Sequence, residues 1–164
     1  MARRTKKYWL MKSEPSSYSI HNLAAEPKQT THWDGVRNYQ ARNIMRDEME
    51  IGDAVLFYHS NAKPPAVAGT ATICSEAYPD FTAWEKGNKH FDAKASVENP
   101  IWQMVDIKLA SVFAEPVGLP ELRVVKSLAK MLLLQRGSRL SVQPVTKSEY
   151  NTVVKLAKNK STAK

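Results

Sequence analysis

The sequence predicts an α+β fold, a mixed β-barrel with peripheral helices, built as a single domain. Five runs of strand length are apolar or alternate in polarity, and five further segments carry helix signals such as caps and three- or four-residue apolar spacing. Their order is strand, two helices, three strands, helices, strand, helix, with no βαβ alternation and no repeat. The 164 residues suffice to bury about two thirds of the unfolded surface without disulfides.

The first half of the chain opens with a strand over residues 8–12 that is apolar enough for the middle of a sheet. Ser19 can cap a short helix over 20–25, which ends before Pro27, and residues 28–31 read as a polar linker. Apolar residues at helical spacing predict an amphipathic helix over 38–49. Strands over 54–59 and 66–74 follow, and their separation by a short loop predicts a long hairpin.

The second half begins with an irregular segment over residues 78–100 that is rich in aromatic side chains. Such a segment is more typical of a functional loop, although its aromatic residues could equally cover one end of a barrel. A strand over 101–112, a turn over 115–118 and helices over 121–125 and 127–134 are predicted next. A strand over 140–145 leads to a capping box of Thr146 and Glu149, which begins the last helix.

The net charge of +8 lies entirely in the two terminal segments. Residues 1–7 and 155–164 contain eight basic and no acidic residues, whereas the body over 8–154 contains equal numbers of both. We therefore expect a domain over 8–157 between basic, disordered tails over 1–7 and 158–164. The charge alone does not make the body a nucleic-acid binder, although basic tails can add salt-sensitive attraction to a polyanion.

Several classes of function have little support in the sequence. Cys74 has no partner for an internal disulfide, and no apolar run is long enough for a signal peptide or a membrane span. The four histidines are scattered and no phosphate-binding glycine motif occurs, so we expect no metal, no cofactor and no enzymatic activity.

The stretch over residues 32–43, HWDGVRNYQARN, combines an indole, a glycine turn, two arginines and several carboxamides. An aromatic face with amide and guanidinium groups can hold a flat polar ligand. The alternative is a polar loop that leads into a helix N-terminus, with Trp33 packed on the body of the domain. Basic residues cluster in this region and near the later helices. These clusters are explained either by contacts with phosphates or by helix faces exposed to solvent. The two clusters comprise Lys28, Arg37, Arg42 and Arg46, and Arg123, Lys126, Lys130, Arg136 and Arg139.

Five ordered blocks resemble the EVE domain of the thymocyte nuclear protein family. They read YWLMKSEP at 8–15, WDGVRNYQARN at 33–43, FYHSN at 57–61, EAYPD at 76–80 and LSVQP at 140–144. The resemblance, which runs from about residue 8 to 156, implies a PUA-like β-barrel, a fold shared with YTH domains that hold a methylated base in an aromatic cage. It also implies binding of modified bases, notably modified cytosine in DNA.

By the same resemblance, a base pocket forms around Trp33 as one wall, with Trp102 or the aromatic residues of the segment over 78–100 as candidates for the second. The remaining expected pocket residues are Lys12, Ser13, Gly35, Val36, Asn38, Tyr58, Ser60 and Asn61. We expect Arg37, Arg42, Lys28 and Arg136 to contact phosphates.

The sequence thus predicts a monomeric, non-enzymatic reader of DNA or RNA with a modified base, cytoplasmic in a bacterium and nuclear in a eukaryote. Two alternatives stay open. One is an enzyme acting on modified nucleotides or RNA, with Lys12, Glu14 or Asp34 in acid–base roles. The other is a protein-interaction module that uses the aromatic segment over 78–100.

Overall fold

A computed structural model describes residues 5–136 and 140–162, and its centre is a six-stranded mixed sheet with strand order β2-β7-β4-β3-β1-β8. A separate two-stranded ladder joins β5 and β6. The strands are β1 Tyr8–Ser13, β2 Thr30–His32, β3 Ala54–His59, β4 Ala66–Ile73, β5 Tyr78–Pro79, β6 Gln103–Met104, β7 Asp106–Gly118 and β8 Val142–Val145. The α+β class predicted from the sequence is confirmed.

Four α-helices and four 3-10 turns accompany the strands of the described chain, and α4 follows the last strand. The helices are α1 Ile20–Ala24, α2 Tyr39–Asp47, α3 Leu119–Arg123 and α4 Lys147–Thr162, and the 3-10 turns are Pro27–Gln29, Phe81–Trp84, Lys126–Leu128 and Leu132–Leu134. Ser19 caps α1 as predicted, its hydroxyl accepting from the Asn22 N–H. The capping box at α4 is also present, because Thr146 and Glu149 each accept a hydrogen bond from the other's backbone N–H.

The strands β1 and β3 pair in parallel, and every other neighbouring pair in the six-stranded sheet is antiparallel. The chain between them passes through α1, β2 and α2, which gives the long crossover that a parallel pair requires. The expectation of no βαβ alternation is therefore wrong for this pair, since β1 and β3 are parallel with helices between them. The hairpin of β3 and β4 is confirmed.

Two apolar cores lie on opposite faces of the sheet. Because side chains alternate along a strand, β1 sends Trp9 and Met11 into the first core and Leu10 into the second. The first core is completed by buried side chains of α1 and α2, and the second by those of α3, α4 and the 3-10 turns between them. Burial on both faces explains why the strands β1 and β3 are apolar without alternation.

Four sequence predictions need correction. The predicted linker over 28–31 overlaps β2, whose residues Thr30–His32 pair with β7. Residues 115–118, predicted as a turn, continue β7, because Val117 and Gly118 pair with β4. Residues 127–134, predicted as one helix, form two 3-10 turns.

The fourth correction concerns the C-terminal tail, predicted to be disordered from residue 158. The helix α4 continues to Thr162, where Lys160 Nζ donates to Glu121 Oε1 at 2.6 Å and to the Pro116 carbonyl at 2.7 Å. These bonds tie the end of the helix to β7 and α3. Residues 1–4 and 163–164 of the predicted tails lie outside the described residues.

Among the described residues, no helix is both long enough and apolar enough to cross a membrane.

Candidate functional site

A cavity of about 540 Å³ opens where β1 ends, between the loop over residues 33–37 and the segment over 89–90. Residues of the turn after β1, of β2 and of the approach to β8 complete its lining. Five of the ten side chains predicted for a base pocket meet here: Lys12, Ser13, Trp33, Gly35 and Val36. The size falls within the range of about 300–1,000 Å³ that is typical of small-molecule sites.

Trp33 forms part of the cavity wall but is only 8% exposed. Its ring packs edge-to-face on Phe57 of the first core, with 5.4 Å between centroids, and its backbone N–H donates to the Val105 carbonyl at 2.8 Å. The indole is therefore fixed by core packing on one side while it contributes to the cavity on the other.

Gly35 has two reasons to be glycine. Its φ of +80° lies in the left-handed region, which side chains with a Cβ rarely adopt. A Cβ at this position would also lie 2.5 Å from the His90 imidazole, which packs directly on the glycine. The turn predicted at Asp34-Gly35 thus also provides the surface on which the segment over 89–90 rests.

Asp80 holds this loop in place although it does not line the cavity. Its buried carboxylate accepts from the Gly35 N–H at 2.8 Å, from Arg37 Nη1 at 3.0 Å and from the Thr82 N–H at 3.0 Å. Burial by itself raises the pKa of Asp80, but hydrogen bonds from Thr82, Gly35 and Arg37 outweigh it, so the pKa lies below its ordinary value.

Arg37 lines the cavity, but its guanidinium is directed at protein acceptors. Besides Asp80, it donates to the Val36 carbonyl at 2.9 Å and, from Nε and Nη2, to the His90 carbonyl at 3.1 and 2.7 Å. These bonds fasten the loop over 33–37 to the segment over 80–90, and the phosphate contact of Arg37 stays a prediction.

The cavity also brings ionisable side chains of both signs together. Burial lowers the pKa of the Lys12 ammonium, and it is the largest cause of the raised pKa of the Tyr18 hydroxyl, which donates to Glu26 at 3.2 Å. His90 Nδ1 is buried 3.4 Å from the Asp34 carboxylate but makes no hydrogen bond within residues 5–136 and 140–162. The site therefore offers donors and acceptors to a polar ligand.

Asn38 and Tyr58 are not among the residues that line the cavity. Asn38 caps α2, with its side-chain oxygen accepting from the Ala41 N–H at 2.9 Å. Tyr58 belongs to the second core, because its position in β3 turns it to the opposite face of the sheet from Phe57. Tyr58 therefore does not line this cavity.

The remaining three predicted pocket residues also lie outside the cavity lining. Ser60 supports the site indirectly, since its N–H donates to the Ser13 carbonyl at 3.0 Å, and the exposed Asn61 follows it in a left-handed conformation. Trp102 is buried and stacks on Tyr39 at 4.8 Å, with its indole N–H bonded to Asp92. Trp102 therefore does not supply the second wall.

The other predicted phosphate contacts are dispersed. Arg42 donates to the Ile101 carbonyl at 2.9 Å and to the Asn43 side chain, so its guanidinium is also used within the fold. Lys28 is exposed in the turn before β2, and Arg136 is exposed at the edge of the described residues. Arg139, which was assigned to the same basic cluster, lies outside them.

Sequence reasoning missed Tyr18, Glu26, Lys89, His90 and Ser141 as cavity residues, and Asp80 as the residue that positions the loop. Asp80 did carry a signal, because an aspartate before Phe-Thr-Ala-Trp in an aromatic segment has the type expected for an N-cap. The others reach the site through contacts that are distant in sequence.

Comparisons with known proteins agree with the architecture. The model of the EVE domain matches residues 7–156. Thymocyte nuclear protein 1 from Homo sapiens is 45% identical over 166 residues, covering 91% of this chain and 73% of that protein. A hypothetical protein from Leishmania major has a TM-score of 0.89 at 47% identity, covering 96% of this chain and 98% of its own. Human THYN1, solved in complex with 5-methylcytosine-containing DNA, has a TM-score of 0.86 at 43% identity, covering 93% and 98%.

Proposed function

Because the chain belongs to the EVE domain family, we propose that it is a non-enzymatic reader that binds nucleic acid with a modified base and accepts that base beside Trp33. The observation that carries the proposal is the cavity at Trp33 in a chain 43% identical to a protein solved with 5-methylcytosine-containing DNA. Modified cytosine in DNA is the ligand that we favour. We further propose a nuclear location in a eukaryotic cell, in keeping with the name of the human relative, and a cytoplasmic one in a bacterium.

The energetics of an extruded base are consistent with this cavity. Taking a base out of a duplex costs a few kcal/mol, and stacking on an aromatic ring returns roughly 1–3 kcal/mol. Trp33 packs edge-to-face on Phe57, and the Tyr18, His32 and His90 rings lie along the same cavity. The free energy gained by stacking therefore roughly offsets the cost of extruding the base. Discrimination between bases then depends on hydrogen bonds to their edges.

The polar groups of the cavity suit the edge of cytosine. Cytosine presents an amino donor beside two acceptors, and the cavity offers the Asp34 and Glu26 carboxylates as acceptors with the Lys12 ammonium as a donor, while the Ser13 hydroxyl donates to the Tyr18 carbonyl at 2.6 Å. Partial burial of Lys12 strengthens any bond that it makes, because a charged donor interacts more strongly where water is excluded.

The proposal predicts that wild-type protein binds a duplex with one 5-methylcytosine more tightly than the same duplex with cytosine, and that Trp33→Ala loses this preference. Loss of one stacking contact of about 1–3 kcal/mol corresponds to a roughly 5- to 150-fold weaker complex with modified DNA. Fluorescence anisotropy with duplexes that differ only in the base measures both effects.

Two further variants make this test specific. Lys12→Gln removes a cavity donor without touching the Trp33–Phe57 contact, and we expect it to reduce the preference in a protein that folds normally. Lys108→Gln removes the same charge from an exposed position on β7 that does not line the cavity, and serves as the control. Equal affinity of wild type and all variants for both duplexes would overturn the proposal.

A further inference from the structure

Two lysine-lined grooves lie outside the cavity. The first, of about 470 Å³, is formed where β1 begins and β8 ends, and contains Lys6, Lys7 and Lys147. The second, of about 560 Å³, runs along α4 and contains Lys147 and Lys155 with three neutral polar residues. Because they share Lys147, they form one continuous surface, the basic strip, defined by Lys6, Lys7, Lys147 and Lys155. No acidic residue lines either groove within the described chain.

The ammonium groups of the strip are available to a ligand. All four lysines are exposed, and none forms an ion pair with a described residue; Lys6 lies 5.7 Å from the Tyr8 ring centroid. By contrast, Lys160, farther along the same helix, is neutralised by Glu121 at 2.6 Å. In α4, Lys147, Asn151 and Lys155 follow at four-residue spacing, which places them on one helix face.

The strip and the cavity lie at opposite ends of one strand pair. Lys12 and Ser13 of β1 and Ser141 before β8 line the cavity, whereas Tyr8 and Val145, paired at the other end, line the first groove. Three to six residues of extended chain separate the two sites, which corresponds to about 10–20 Å. Successive nucleotides of one duplex strand rise by about 3.4 Å, so the interval matches about three to six nucleotides.

We propose that the basic strip binds the phosphodiester backbone of the nucleic acid whose modified base enters the cavity, three to six nucleotides away from that base. This inference rests on the proposed function and adds the path of the ligand across the protein. It also gives a role to part of the terminal charge, since the fold brings Lys6 and Lys7 beside Lys147.

The chemistry of the strip determines what it contributes. Lysines bind phosphates as point charges and do not read base edges, so the strip adds affinity that depends on salt and not on sequence or modification. Each neutralised phosphate contributes close to one unit to the slope of log affinity against log salt concentration.

The test compares the salt dependence of binding for wild type, Lys147→Gln/Lys155→Gln and the control Lys108→Gln. We expect the double variant to lower the slope by about two and to weaken binding of modified and unmodified duplexes by the same factor, while the control leaves the slope unchanged. Circular dichroism and thermal unfolding verify that the exposed substitutions leave the fold intact.

A shortened duplex gives a second measurement. Wild-type binding should weaken when fewer than about three base pairs remain on the side of the modified base that reaches the strip, and the double variant, which keeps Lys6 and Lys7, should weaken less on this truncation than wild type does. An unchanged slope in the double variant would overturn the inference even if the preference for the modified base is intact. A lowered slope without any preference for the modified base would overturn the proposed base recognition but support the strip, and absence of all binding would overturn both.

Discussion

At the scale of single residues, Asp80 links the two segments that form the cavity. Its carboxylate is fully buried and accepts bonds from Gly35, Arg37 and Thr82, which belong to the loop over 33–37 and to the segment after β5. A buried carboxylate is favourable only when its bonds are complete, and here backbone and guanidinium donors complete them. Asp80 is thus a positioning residue for Gly35 and Arg37, in the loop that also contains Trp33.

We predict that Asp80→Asn lowers the free energy of unfolding by about 3–5 kcal/mol at pH 7, because it leaves Arg37 without its charge partner and turns an amide toward donors. The pKa of Asp80 is lower in the native protein than its ordinary value near 4 in the unfolded chain. Its contribution is therefore fully present above that ordinary value and is lost as pH falls through the native pKa. Urea unfolding of both proteins at pH 7, 5 and 3 measures the difference.

The free energy of unfolding of wild type should exceed that of Asp80→Asn by a constant amount from pH 7 to 5, and this difference should become smaller below about pH 4. Asp92→Asn is a useful comparison, since Asp92 also accepts from a buried ring N–H and has a lowered pKa, but Arg37 acts on it only through its charge and not through a hydrogen bond. If this difference in the free energy of unfolding stays constant down to pH 3, the charge of Asp80 is not what stabilises the loop.

The contrast between Gly35 and Asp80 shows what could be predicted at this scale. Gly35 was predictable as a turn, because Asp-Gly is a local signal that depends on backbone conformation alone. The partners of that turn, Asp80 and His90, lie 45 and 55 residues away, so no local pattern could identify them. The family resemblance predicted Trp33 as a wall of the pocket. Its contact with Phe57 could be seen only in the packed core, because the two residues are distant in sequence.

At the scale of elements, α2 begins where the site loop ends. Asn38, predicted to contact a base, is the N-cap of α2 and is exposed, so its side chain satisfies the Ala41 N–H while its backbone continues the loop over 33–37. The helix cap needs a side-chain oxygen that accepts a hydrogen bond, whereas a base contact can also use the amide N–H donor of asparagine. Serine caps a helix as well as asparagine does but lacks this amide donor.

We predict that Asn38→Ser preserves both stability and affinity for modified DNA, whereas Asn38→Ala lowers the free energy of unfolding by about 1 kcal/mol. Chemical denaturation together with anisotropy titration separates the two roles. A loss of affinity in Asn38→Ser at unchanged stability would instead support the base contact that the sequence suggested.

Strong local signals predicted the elements well, and long-range pairing accounts for the errors. The capped helices α1 and α4 and the apolar strands β1, β3 and β4 were identified from composition and spacing. The three-residue strand β2 has no such pattern and is extended because it pairs with β7. Likewise, Pro116 suggested a turn, yet β7 continues through it because β4 and α4 hold the strand there.

At the scale of the whole molecule, the sheet separates the site from most of the remaining helices. The first core, with Trp33 and Phe57, supports the cavity, while the second core packs α3 and α4 on the opposite face. Stability is shared by both cores, but the geometry of the cavity depends directly on the first. Function and stability should therefore respond differently to substitutions in the two cores.

This separation predicts that Phe57→Ala and Leu122→Ala both lower the free energy of unfolding by about 2–5 kcal/mol, because each leaves a cavity among fully buried neighbours. Only Phe57→Ala should also weaken binding of modified DNA, because it removes the ring on which Trp33 rests. Leu122 belongs to the second core, so its variant should bind as wild type does at temperatures well below its own Tm. Denaturant unfolding and anisotropy titrations at 10 °C measure both quantities. Equal losses of affinity in the two variants would mean that binding responds to stability as a whole and not to the support of Trp33.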